Sequence, residues 1–167
     1  MPYYKGHRKF QAGNSPKGRA GLVGLQKVSS VAVGNVGAGV DTLITLTIEK
    51  DTLYKNGQAL RITAWGSFAA NGNNKEVILD VGGTTVSDSG VLTDNDKKWM
   101  VEAIVIRTGV DTQDVISRFI HDTAIITLAI TALTKDDGAD IVVKCTGEAT
   151  ATDDIIQEGM LIEVLNA

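Results

Sequence analysis

Thr42-Leu43-Ile44-Thr45-Leu46-Thr47-Ile48-Glu49 alternates apolar and polar residues. Ile44, Leu46 and Ile48 fall on one face and Thr45, Thr47 and Glu49 on the other, the period-two pattern of a strand with one wet side. Downstream, an Asn56-Gly57 turn precedes residues 59–65, where Leu60, Ile62 and Ala64 oppose Arg61 and Thr63. A polar loop, Asn71-Gly72-Asn73-Asn74, leads into a strand over 75–81 that Gly82-Gly83 closes. After an acidic loop over 87–96 come strands over 99–107, 115–121, 124–133, 141–146 and 160–165. Short Val-, Ile- and Thr-rich runs between turn clusters predict an all-β body of about eight or nine strands. Residues 100–106 and 124–130 are apolar on both faces, so a second sheet or a subunit contact is expected to cover them. The expected architecture is a two-sheet antiparallel sandwich of jelly-roll type.

Upstream of this body the composition changes. Of the chain's 167 residues, 1–40 contain Lys5, Arg8, Lys9, Lys17, Arg19 and Lys27 and no acid, a charge of +6, whereas 41–167 hold 10 basic and 20 acidic side chains. The net charge of −4 therefore hides a basic segment joined to an acidic body. Residues 1–40 also carry eight glycines and both prolines without a sustained period, which predicts an extended arm with no core of its own, followed by a β domain over 41–167. Fully extended, such an arm would reach about 130 Å at roughly 3.3 Å per residue. Tyr3, Tyr4 and Phe10 distinguish it from a solvated tail, because a segment that orders on docking needs groups to bury. The expected partner-binding residues are Tyr3, Tyr4, Lys5, Arg8, Lys9, Phe10, Lys17, Arg19 and Lys27.

Reaction chemistry is not visible. A single cysteine, Cys145, excludes an intrachain disulfide, and its apolar setting reads as a small buried hydrophobe. The histidines are His7 and His121; Ser117, His121 and Asp122 could be joined into a triad only on paper, since their spacing follows no nucleophile-elbow pattern. The acids Asp94, Asp96, Asp136, Asp137, Asp140, Asp153 and Asp154 sit in expected turns, where aspartate bonds local backbone; none matches an EF-hand ligand set, and calcium stays an open alternative. The glycines lack the context of a phosphate loop or dinucleotide fingerprint. No catalytic residue, cofactor or metal site is expected. No signal-peptide pattern or apolar run near the roughly 20 residues of a spanning helix is present, so no membrane partner is expected.

Three stretches carry a resemblance: Leu60-Arg61-Ile62-Thr63-Ala64-Trp65-Gly66 with Ala69-Ala70-Asn71-Gly72-Asn73-Asn74-Lys75; Trp99-Met100-Val101-Glu102-Ala103 with Arg107-Thr108-Gly109; and Asp153-Asp154-Ile155-Ile156-Gln157-Glu158-Gly159-Met160. In this order they resemble a β-rich module of virion structural proteins of tailed bacteriophages, including capsid decoration (cement) proteins, head fibres and tail-fibre components. Over about residues 42–165, the resemblance implies a jelly-roll-like homotrimer without catalysis. Physical reasoning adds that Trp65 and Trp99 serve as core or interface anchors, and that Gly66 and Gly159 permit turns or bulges.

Together these readings lead to a non-enzymatic virion protein, assembled in the host cytoplasm and seated on the capsid exterior. Its arm would reach the major capsid protein or another virion protein; nucleic acid is not the expected partner. The alternative is a head-fibre, tail-fibre or baseplate module whose loops over 67–74, 87–97 and 134–140 bind a host receptor. A carbohydrate-binding or hydrolytic sandwich is a third reading, weakened by the lack of loop aromatics.

Overall fold

The computed structural model describes residues 24–93 and 95–165. Their strands, in chain order, are β1 (Gly24–Ser29), β2 (Val33–Gly34), β3 (Gly39–Ile48), β4 (Ala59–Phe68), β5 (Lys75–Val81), β6 (Thr84–Asp88), β7 (Lys98–Gly109), β8 (Thr112–His121), β9 (Ala124–Leu133), β10 (Ile141–Ala149) and β11 (Ile155–Val164). All pairings are antiparallel. One sheet has the order β1-β11-β4-β7-β8-β9, with β2 also on β11, and the other has the order β3-β10-β5-β6. The chain crosses between sheets at β2–β3, β3–β4, β4–β5, β6–β7, β9–β10 and β10–β11. The four-strand sets β1-β11-β4-β7 and β3-β10-β5-β6 make a jelly roll, and β8–β9 is a hairpin that widens the first sheet.

Alternation places the core between the sheets. Leu60, Ile62, Ala64 and Phe68 of β4 and Val101, Ala103 and Val105 of β7 are buried, facing Val77, Leu79 and Val81 of β5 and Val143 and Cys145 of β10. Trp99 lies in this core, stacked on Phe119 at 6.1 Å between centroids. In β11 the inward set changes parity: Ile155 and Gln157 are buried, then Met160, Ile162 and Val164. A register shift between Gln157 and Gly159 causes the change, because one extra residue in a strand sends every later side chain to the opposite face.

The expected domain boundary at residue 40 does not coincide with the start of pairing. Gly24 pairs with Val164 and Ser29 with Met160, so the described end of the arm supplies the first jelly-roll strand. The buried Asn35 strengthens this join: its Oδ1 accepts the Ile155 N–H at 2.9 Å, and its Nδ2 donates to the Ala151 carbonyl at 2.8 Å. Pairing in β1 is carried by backbone on a sheet edge, with a register shift between Leu25 and Lys27. Period-two patterning is therefore weak there. β6 also differs from expectation: no strand was expected over 84–86, and its last two residues, 87 and 88, fall in the expected acidic loop, yet Val86 and Ser87 are both buried.

Candidate interaction surfaces

The residues singled out in the sequence separate into three groups. Tyr3, Tyr4, Lys5, Arg8, Lys9, Phe10, Lys17 and Arg19 lie outside the described residues. Lys27 is on β1, with its ammonium 3.0 Å from Glu49 of the body. Trp99 is a core anchor, whereas Trp65 is half-buried on the outer side, with its ring over Gly159.

No reactive constellation emerges from the candidates for chemistry. Ser117 and His121 are four residues apart on one straight strand, about 13 Å at 3.3 Å per residue, too far for a nucleophile–base hydrogen bond. Ser117 Oγ donates to the Val86 carbonyl, His121 packs on Phe68, and Asp122 pairs with Lys97 at 2.9 Å. Burial first, then Asp80, pushes the Cys145 thiol up to about 12, so it stays protonated at neutral pH. Among the described residues, no group of three or more His, Cys, Asp or Glu side chains is placed to hold a metal ion.

The acidic turns have a structural explanation. Every described non-glycine residue with positive φ is an aspartate: Asp51, Asp96, Asp111, Asp122 and Asp153. Aspartate tolerates the left-handed region because its short side chain can bond nearby backbone. Asp137 instead braces two loops, accepting from Arg107 Nε at 2.7 Å, Gln113 Nε2 at 2.9 Å and the Asp111 N–H at 2.9 Å.

The motif residues converge at one end of the sandwich. Asp154 accepts from Asn71 Nδ2 at 2.6 Å, Asn73 Nδ2 at 3.0 Å and the Ala151 N–H at 2.8 Å. Burial alone would raise the Asp154 carboxyl, but these hydrogen bonds and the nearby Lys75 charge outweigh it and hold the group below the usual carboxylate value. Gln157 joins the sheets by accepting the Ile44 N–H at 2.9 Å. The second and third stretches thus lock the first in place through packing and hydrogen bonds.

Among the described residues, a different surface is left uncovered. On the outer side of β7–β9, Ile104 pairs with Ile116 and Ile116 with Ile130; the adjacent row runs Glu102, Arg118, Leu128. Leu128 is 72% exposed and Ile130 78%, and Ile116, Ile125 and Ile126 are also exposed. Glu102 neutralises Arg118 at 2.6 Å and approaches Arg61 at 3.3 Å, so charge in the patch is internally compensated. A groove of about 250 Å³ lies between Ile104, Ile116, Arg118 and Leu128. β9 also ends the sheet, and its ten residues contain no charge, proline or glycine. A long apolar edge strand without such protection offers backbone and side chains to another chain. The sequence signal was the two-faced apolarity of 124–130, which marked the strand without revealing which side chains remain exposed. No family model and no curated protein matches the chain.

Proposed function

We propose that this chain is a non-enzymatic structural protein of a tailed-phage virion, acting as a trimeric capsid decoration (cement) protein on the shell exterior. The observation that carries the reading is the apolar outer face of β7–β9 beside an unprotected edge strand. Burying Leu128 and Ile130 would contribute about 2 kcal/mol each. Copies of the same chain are the proposed occupant, because the patch is neutralised internally and the open edge of β9 can accept backbone from another copy. Around a three-fold axis, this face of one copy would meet the flank of the next.

The basic residues before Gly24 have the complementary role of reaching acidic surface on the major capsid protein or a neighbouring virion protein. Many weak arm contacts become strong together once the bodies are fixed on a shell. Sedimentation with undecorated shells tests this reading, comparing the full chain with one starting at Gly24 so that β1 is retained. Stoichiometric binding that is lost without the arm and weakened by salt is expected. Absence of binding by both chains would overturn the cement reading and favour the fibre or baseplate alternative.

A further inference from the structure

Lys75 opens β5 and is wholly buried. Its Nζ donates to Asn71 Oδ1 at 2.9 Å, to the Asn71 carbonyl at 2.9 Å and to the Asn73 carbonyl at 3.0 Å. The opposite end of the same Asn71 amide donates to Asp154 Oδ1 at 2.6 Å, and Asp154 is itself buried. These partners fix the amide orientation: an ammonium can only donate and a carboxylate can only accept, so oxygen faces the lysine and nitrogen the aspartate. A buried amine and a buried carboxylate are thus held at opposite ends of the half-buried Asn71 carboxamide.

We propose that Lys75 and Asn71 become joined by an intramolecular isopeptide bond, with Asp154 as the catalytic carboxylate. The Lys75 ammonium releases a proton to solvent, and the freed Nζ lone pair attacks Asn71 Cγ. As the Nζ–Cγ bond forms, the carbonyl electrons move onto Oδ1. Asp154, in contact with Nδ2, takes a proton from the newly bonded Nζ and passes it to Nδ2; the Cγ–Nδ2 bond breaks and ammonia leaves, taking up the proton first released as ammonium. An ammonium and a carboxamide become a secondary amide and a free ammonium ion, with no oxidant or other reactant. Holding Nζ 2.9 Å from the oxygen of the amide it would attack makes the exchange intramolecular, and well-oriented intramolecular reactions gain about 10⁵ M or more in effective concentration. Asp154 is held at the leaving nitrogen by Asn73 and Ala151, which fits general acid–base work.

The test is the intact mass of the full-length chain, purified folded and incubated for days at neutral pH. The expected mass is lower than the sequence mass by one ammonia in essentially every molecule. Trypsin should fail to cut after Lys75, yielding a single internally linked peptide over 62–97. Lys75→Arg and Asn71→Ala should each restore the sequence mass, and Asp154→Asn should slow or abolish the loss. A succinimide at Asn71-Gly72 would remove the same ammonia but leave Lys75 open to trypsin; that pattern overturns the proposal. So does an unchanged mass in the wild-type chain, which requires no variant to fold.

Discussion

Gly66 pairs with Trp99 across β4 and β7, and a Cβ there would strike both the Ile156 carbonyl oxygen and the Trp99 ring. Neither obstacle can yield cheaply, since one is main chain and the other a packed core ring. Gly66→Ala should therefore cost about 3 kcal/mol or more, read from chemical denaturation. Gly72→Ala, where an added Cβ meets nothing within 4 Å, is the matched control and should stay within about 0.5 kcal/mol of wild type. On the outer side of the second sheet, Glu76 is raised above its ordinary value by burial, then by Asp88 and Glu148. A carboxyl raised in the folded state destabilises that state above its folded pKa and has no such effect below its unfolded one. Glu76→Gln should raise Tm at pH 7, and the gain should vanish as the medium becomes acidic enough to protonate wild-type Glu76.

At the scale of the element, β1 and β9 form the two ends of the larger sheet and have different fates. β1 covers one side of β11, so a chain starting at Gly24 should keep the Tm of the body. A chain starting at Val31 loses β1 and should melt several degrees lower, by about 4 °C or more if the strand contributes even 2 kcal/mol. Among the described residues, nothing covers β9 in this way. Leu128→Asp together with Ile130→Asp should leave the folded protomer intact because both side chains are exposed. If copies of the chain bury this face, the pair should weaken self-association about 100-fold or more in sedimentation equilibrium. Unchanged self-association would place the contact on another surface.

For the whole molecule, carboxylates of opposite behaviour set the response to acid. Asp154 is held low by its hydrogen bonds despite burial, and Glu158 is held low first by Lys98 and then, against desolvation, by Ser67. Groups depressed on folding contribute stability in full above their unfolded values, near pH 4, and lose it as pH falls through the folded ones. Thermal melts should therefore rise slightly as falling pH protonates Glu76, and fall steeply below about 4. Asp154→Ala should flatten that acid limb and lower the neutral plateau, since it strips Asn71 and Asn73 of their acceptor.

Local chemistry is legible wherever one residue's neighbours along the chain decide its role. The period of two in 59–65 identified Leu60, Ile62 and Ala64 as inward residues, and all three are fully buried. Of the aspartates expected in turns, Asp96 and Asp153 take up left-handed backbone, which that side chain tolerates regardless of the rest of the fold, whereas Asp51, Asp111 and Asp122 were not singled out as turn aspartates. Strand patterning also disclosed the sandwich, since two-faced apolarity calls for a second layer. The order β1-β11-β4-β7 joins segments more than a hundred residues apart, and no local pattern records such a pairing. Thus β1 read as arm, because edge pairing uses backbone groups that every residue possesses, and Lys75 read as an ordinary strand start until Asp154 arrived beside Asn71 from the far end of the chain. Periodicity and turn chemistry are properties of adjacent residues and were fixed in the sequence itself; the face of β9 that no described residue covers, and the arrival of Asp154 beside Asn71 and Lys75, came from long-range antiparallel pairing, which only the tertiary structure decided.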